Sequence, residues 1–272
     1  MQIFLFSPFK IIRSLLDNKV LIYNLSRREV IGRYKGSFLG VFLSFINPVF
    51  MLSVYTYIFS SVFKSKWSGA SGSKFEFALI LFAGLIVFNL FAECFNRAPS
   101  LIISNSNYVK KIIFPLEIFP WVSIGSAIFH SAISLLVWVI FYAVVSGMPN
   151  ITILLFPIVI LPLVFFTLGI SWLLASLGVY ARDMNQLVTI LTTVLMFMTP
   201  IFYPIDAIPE NYRWLVRLNP LAYVVEQSRN VLYWGKVPDW YQLSGYILAS
   251  LIVAWLGFVW FQKTRKGFAD VI

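Results

Sequence analysis

The chain has 272 residues, of which 60% are hydrophobic, 18% aromatic and only 12% charged, and its mean hydropathy is +0.84. Soluble domains carry about a quarter of their residues as charges, so a water-soluble fold has no means of hiding this much apolar surface. The 21 Lys and Arg against 11 Asp and Glu stand in short clusters beside apolar runs, which reads as topology signalling and not as a nucleic-acid face. One cysteine, Cys94, excludes an intrachain disulfide and a cysteine-based metal site, and one histidine, His130, leaves almost nothing for a zinc site or a catalytic triad.

Residues 1–9 are apolar but too short for a signal-peptide core, with Lys10 and Arg13 behind them instead of ahead, so the segment is expected to be kept. About 17–35 predicts an interfacial helix with Asp17 or Asn18 at its N-cap, although Val20, Leu21, Ile22, Tyr23, Leu25, Val30 and Ile31 do not fall on one stripe. It ends in Arg27, Arg28, Arg33 and Lys35. Residues 36–63 follow, about 28 without formal charge, more than the roughly 20 that cross a hydrocarbon core. The basic run holds the near end of this first span in the cytoplasm. A Ser- and Gly-rich external loop over 64–76 leads to a second span at about 77–96, closed by Glu93, Asn96 and Arg97. The semi-polar stretch after it, with Lys110 and Lys111, is then cytoplasmic.

A third span over 118–146, an external turn GMPN and a fourth span over 151–180, bent near Pro157 and Pro162, come next. Arg182 and Asp183 interrupt the apolar pattern in a cytoplasmic turn. An unpaired charge costs about 2.5–3.5 kcal/mol at a membrane helix centre and less at its edge, so they are expected to form a structural ion pair with each other, with Glu117 or with the interfacial helix. The fifth span is read at 185–203. Residues 204–240 are too polar to cross but half apolar, and Leu221, Val224, Val225, Ser228 and Leu232 fall at helical spacing with Glu226 and Arg229 nearby. Such a segment fits re-entrant or interfacial helices buried in protein. The sixth span is 241–261, and both ends lie inside. About fourteen of the basic residues are then cytoplasmic and about seven external, as the positive-inside rule requires.

No G-x-x-x-x-G-K-[ST] phosphate loop occurs, so if transport is driven by ATP, another subunit binds it. Asn47, Asn89, Glu93 and His130 are a thin set for an ion-coupled relay, and a helix-to-helix hydrogen bond is the simpler role for His130 and Asn89. Phe38, Phe42, Phe45, Val49, Leu52, Thr56, Phe59 and Phe63 share one side of the first span. They could stack on sugar rings in a passage, or meet lipid and neighbouring helices.

Four stretches occur in order: RREVIGRYKGSFLGVFLSFINPVF, SNSNYVKKIIFPLEIFP, YARDMNQ, and TPIFYPIDAIP followed by LNPLAYVVEQSRNVLYWG. Together, from about residue 20 to the tail, they resemble the permeases of ABC-2 type transporters, and more narrowly the polysaccharide-export branch that moves O-antigens and teichoic acids. Thr199 departs mildly from the first position of the motif closing the fifth span.

The resemblance implies an all-α integral membrane fold of six spans, with an interfacial helix, a cytoplasmic coupling helix and short re-entrant helices. It implies a homodimer in a bacterial cytoplasmic membrane, in contact with its lipids, working with two ATP-binding-cassette subunits that hold ATP and Mg. The chain itself is then no enzyme, carries no cofactor or metal and binds no nucleic acid. The implied substrate is a lipid-linked polysaccharide such as an O-antigen on undecaprenyl diphosphate. Teichoic-acid, capsule, small-lipid or drug export remain alternatives, as does a stand-alone ion-coupled transporter or channel. By the same resemblance, Asn105, Asn107, Tyr108, Lys110 and Lys111 couple to the ATPase. Phe38, Phe42, Phe45 and Phe59 line the passage with Phe197 and Tyr203 of the fifth span. Arg27, Arg28, Arg33 and Lys35 either only orient the chain or also bind the carrier diphosphate, to which Arg offers a bidentate fork.

Overall fold

A computed structural model describes residues 7–35, 40–58, 67, 74–109, 114–181 and 183–272. Phe38, Phe59, Phe63, Lys110, Lys111 and Arg182, which the sequence reading singles out, lie outside the described residues.

The N-terminal region forms two helices where one was expected, α1 (Phe9–Asp17) and α2 (Lys19–Tyr34). Asn18 stands at the break, but its side chain caps nothing in α2. It donates to the Ser14 carbonyl at 2.9 Å, closing α1. Asp17 pairs with Arg13, one turn back in α1. Phe9, Ile12 and Leu16 form an exposed apolar ridge on α1, as on a helix lying in a membrane interface.

Next come α3 (Leu43–Tyr57), entered by a 3-10 turn and carrying Pro48 inside it, and α4 (Lys74–Arg97). Short helical turns over Ala98–Ser100 and Ile103–Asn105 lead to α5 (Ser106–Val109). Then follow α6 (Phe119–Ser146), α7 (Phe156–Tyr180) and α8 (Met184–Met198). The chain finishes with α9 (Arg213–Arg217), α10 (Pro220–Leu232), α11 (Trp240–Thr264) and α12 (Phe268–Val271). Among the described residues four helical stretches are long and apolar enough to cross a membrane: Phe75–Ser100, Leu116–Ser146, Ile151–Tyr180 and Trp240–Val271. Within the described residues, helices α3 and α8 have 15 residues each, about 22 Å at 1.5 Å per residue, less than the roughly 30 Å hydrocarbon thickness. Helix α8 ends at Met198, earlier than the expected 203, because Pro200 drives Thr199 into extended backbone (φ −87, ψ 135).

Helix α4 is the centre, with 83% of its apolar window buried. Helices α3, α6, α7, α8 and α10 pack round it, and α11 packs on α7. Indole N–H groups fasten α6 and α7 to neighbouring backbone: Trp138 donates to the Leu79 carbonyl at 2.8 Å and Trp172 to that of Glu117 at 3.0 Å. Helices α7 and α11 meet backbone to backbone, since a Cβ on Gly257 would lie 2.0 Å from the Gly169 carbonyl oxygen. The stripe Leu221, Val224, Val225, Ser228 and Leu232 is buried on α10, against α4 and α7. Asn219 caps that helix by accepting from the Leu221 N–H at 3.0 Å, and its amide donates to Thr199 Oγ1 at 2.9 Å. The variant motif position thus ties the end of α8 to the start of α10.

Candidate functional site

The last turn of α2, the last turns of α4 and the middle of α6 bring polar groups together in an otherwise apolar bundle. Arg33 Nη2 donates to Glu93 Oε1 at 2.5 Å, and His130 Nδ1 lies 3.0 Å from Glu93 Oε2. Tyr34 Oη is 3.2 Å from His130 Nε2. The imidazole thus stands between the carboxylate and the phenol, with Arg33 Nη1 3.4 Å from the same Nδ1. Burial holds the Tyr34 phenol above its usual pKa, so its hydroxyl stays protonated. Arg97 pairs with Glu29, which also lies 3.8 Å from Arg33. Two arginines and two carboxylates therefore neutralise one another where α2 meets the bundle. Beside them opens a cavity of about 670 Å³ between α3, α4 and α6, lined by Arg33, Asn47, Tyr55, Asn89, Glu93 and His130.

The four basic residues predicted for a diphosphate do not converge. Arg33 turns into this cluster, both terminal nitrogens of Arg28 approach the Tyr108 hydroxyl at 3.4 Å, and Arg27 and Lys35 are exposed. Tyr108 itself packs against Phe114, the rings tilted by 39° with centroids 4.4 Å apart. A predicted coupling residue and a predicted carrier residue are thus neighbours. Asn105 donates to the Leu101 carbonyl at 2.9 Å and Asn107 is exposed. Asp183 stands before α8, its carbonyl accepting from Gln186 and Leu187, while Glu117 is held by Arg265 at 2.8 Å.

Of the predicted passage residues, Phe42 and Phe197 are 62% and 61% exposed, and Phe42 lies beside the partly buried Phe45, centroids 6.2 Å apart. Tyr203 donates to the Phe197 carbonyl at 2.8 Å, and Phe202 bridges Tyr55 and Phe197 with centroids at 6.5 and 6.1 Å. This chain of rings links α3 to the end of α8. Val49, Leu52 and Thr56 of the same sequence stripe face elsewhere, into an apolar groove of about 590 Å³ shared with Phe141 and Val144 of α6.

Sequence reasoning assigned no role to Arg229. Its side chain is buried on α10 and donates Nε to the Ile80 carbonyl at 3.1 Å, Nη1 to Pro200 at 2.5 Å and Nη2 to Ile201 at 2.7 Å. The guanidinium carbon lies 4.4 Å from the Trp67 ring centroid. An arginine on the apolar side of a helical stripe was the one available signal.

Among characterised proteins, the chain is 28% identical to the O-antigen export system permease protein RfbA of Myxococcus xanthus over 265 residues, 97% of this chain and 99% of the relative. It is 26% identical to RfbA of Klebsiella pneumoniae over 253 residues (93% and 95%), and 23% identical to the polysialic acid transport protein KpsM of Escherichia coli over 250 residues (92% and 95%). The sequence profile of the ABC-2 type transporter matches residues 20–233, and on that match, with its bundle of membrane-length helices, the chain belongs to the ABC-2 type transporter family.

Proposed function

We propose that this chain is the permease subunit of an ATP-driven exporter that moves a lipid-linked polysaccharide, an O-antigen on undecaprenyl diphosphate, across a bacterial cytoplasmic membrane. The observation that carries the reading is a pair of apolar helices with much of their described surface exposed, in a chain whose relatives export glycans: α8 buries only Val188, and α3 with the turn that enters it exposes Phe42, Val49, Phe50 and Tyr57. A second copy covers these faces, and the two copies enclose a passage lined by Phe38, Phe42, Phe45, Phe59, Phe197 and Tyr203. Helices α3 and α8 make the first and fifth of six crossings, both termini lie in the cytoplasm, and 204–240 re-enters from the outside. ATP and its Mg belong to two partner subunits docked on the turns around Asn105, Asn107 and Tyr108 and on Lys110 and Lys111. Arg27, Arg28 and Lys35 offer a diphosphate their charge, whereas Arg33 reaches it only by leaving Glu93. Arg182 and Asp183 form a structural pair at the cytoplasmic turn.

Deleting the gene should abolish one surface glycan, and the chain should co-purify with an ATPase to which cysteines at Asn107 or Tyr108 crosslink. Transport by the chain alone in liposomes would overturn the reading in favour of a stand-alone transporter. Capsule export is the second reading, since one relative transports polysialic acid.

A further inference from the structure

A second polar cavity, of about 690 Å³, lies between α10, the start of α11 and the segment after α8. It is far from the Arg33 cluster. Ile80, whose carbonyl anchors Arg229 beneath it, stands thirteen residues from Glu93 along α4, about 20 Å by helical rise. Its size falls within the usual range of about 300–1,000 Å³ for ligand sites.

The lining combines two kinds of group. Tyr223 and Trp234 supply aromatic surface, and neighbours hold both rings in place. Tyr223 lies 5.3 Å from Tyr246 by centroid and donates its hydroxyl to the Asp239 carbonyl at 3.3 Å, and Trp234 stands edge-on to Tyr233 at 4.9 Å. Asp206, Glu226, Asn230 and Gln242 supply planar polar groups on the same cavity. Rings held in fixed planes lose little entropy on binding, and they pack against C–H faces while flat carboxylates and amides take hydroxyls at their edges. A ring with an apolar face and a hydroxylated rim meets both demands together.

We propose that this cavity is a saccharide-binding site, on the face away from the basic end of the bundle, that accepts neutral or amino-sugar units and disfavours polyanionic ones. The cation in the described lining is Arg229, and its Nε, Nη1 and Nη2 each donate to a backbone carbonyl. It serves as a strut that holds the segment after α8 against α4. The other charged lining groups are the carboxylates of Asp206 and Glu226, so acids outnumber the cation in the described lining, a balance that favours hydroxyl or ammonium groups over a sialic-acid carboxylate. The site rests on the polysaccharide reading for its ligand class, but its occupancy is measurable without transport.

The test is saturation-transfer NMR on the full chain assembled with its ATPase in lipid nanodiscs. Neutral hexasaccharides of mannan, galactan and dextran type and hexasialic acid are each titrated. At least one neutral probe should bind tenfold or more tighter than hexasialic acid. Tyr223→Ala and Trp234→Ala should each weaken that binding about tenfold, and Asp206→Asn with Glu226→Gln should raise hexasialic acid binding relative to the neutral probe. Leu136→Ala on α6 should change nothing. Undiminished co-elution of each variant with the ATPase shows that it is folded, and where Tyr223→Ala fails that check, Tyr223→Leu replaces it. The proposal is overturned if no neutral probe binds tighter than hexasialic acid, or if folded variants bind as the parent does. Surface glycan that persists after gene deletion sinks the export reading separately, whatever the cavity binds.

Discussion

At the scale of single residues, two buried or half-buried arginines do different work because their partners differ. Among the described residues, Arg229 donates to three backbone carbonyls and lies against a ring. Arg33 meets a carboxylate, and side chains 32% and 17% exposed leave that pair open to competition from water or an incoming anion. A pair so placed lies between the exposed limit, about 0–1 kcal/mol, and the cost of breaking a fully buried one, about 3–5 kcal/mol. We expect Glu93→Gln to lower stability by about 1–3 kcal/mol, read as thermal unfolding in nanodiscs, and Arg33→Ala combined with it to cost less than the two losses added. Strict additivity would show that the contact carries no coupling. If Arg33 also forks a diphosphate, converting Arg27, Arg28 and Arg33 to Lys keeps the topology charge and loses the fork. Export unchanged in that triple variant would leave these residues as orientation signals.

Among the elements, α7 and α11 associate backbone to backbone, and glycine is the cause. Gly169 and Gly257 let the two backbones touch where apolar side chains gain nothing over lipid as partners. A side chain at Gly257 meets rigid backbone, which no rotamer change relieves. Gly257→Val should therefore separate the helices and cost about 3 kcal/mol or more, beyond the usual overpacking range. Loss of the folded fraction in size-exclusion chromatography checks this, with Gly245→Val, where nothing lies within 4 Å of the added carbon, as the tolerated comparison. Stripe arguments worked for α10 because a helix buried on one face writes its period into the sequence. They misled on α3, where one stripe divides between an exposed aromatic end at Phe42 and an apolar groove holding Val49, Leu52 and Thr56. Helix α3 has neighbours on more than one side, and a single period cannot say which neighbour each residue meets.

For the molecule as a whole, the uncovered faces of α3 and α8 decide what assembly must supply. Flat rings tolerate a sliding glycan in many registers, and crowded rings also exclude water and close an idle passage by dewetting. Replacing Phe42, Phe45 or Phe197 with Ala should slow export several-fold and raise ion leak while the subunit still folds, whereas Leu136→Ala, at an exposed site on α6, should do neither. Glycan export by whole cells and ion flux in proteoliposomes provide the two readouts. Equal behaviour of the two sets would return the rings to ordinary packing.

By itself the sequence determined the solvent of this protein, the order of its apolar helices, the buried stripe of α10 and, through four spaced stretches, its family. Each of these depends on composition or periodicity within a short window, which local hydropathy and charge record directly. Only the tertiary structure decided that Arg33 reaches Glu93 across 60 residues, that Glu117 holds Arg265 across 148, and that Arg229 reaches the Ile80 carbonyl across 149. It also decided that Asn18 closes α1 instead of capping α2, that α8 ends at Met198, and that α3 and α8 keep exposed apolar faces. In a membrane bundle almost every helix face is apolar, so hydrophobicity does not choose between lipid and protein as a neighbour. That choice rests on close packing and on a few polar partners, whose meeting depends on how the helices cross.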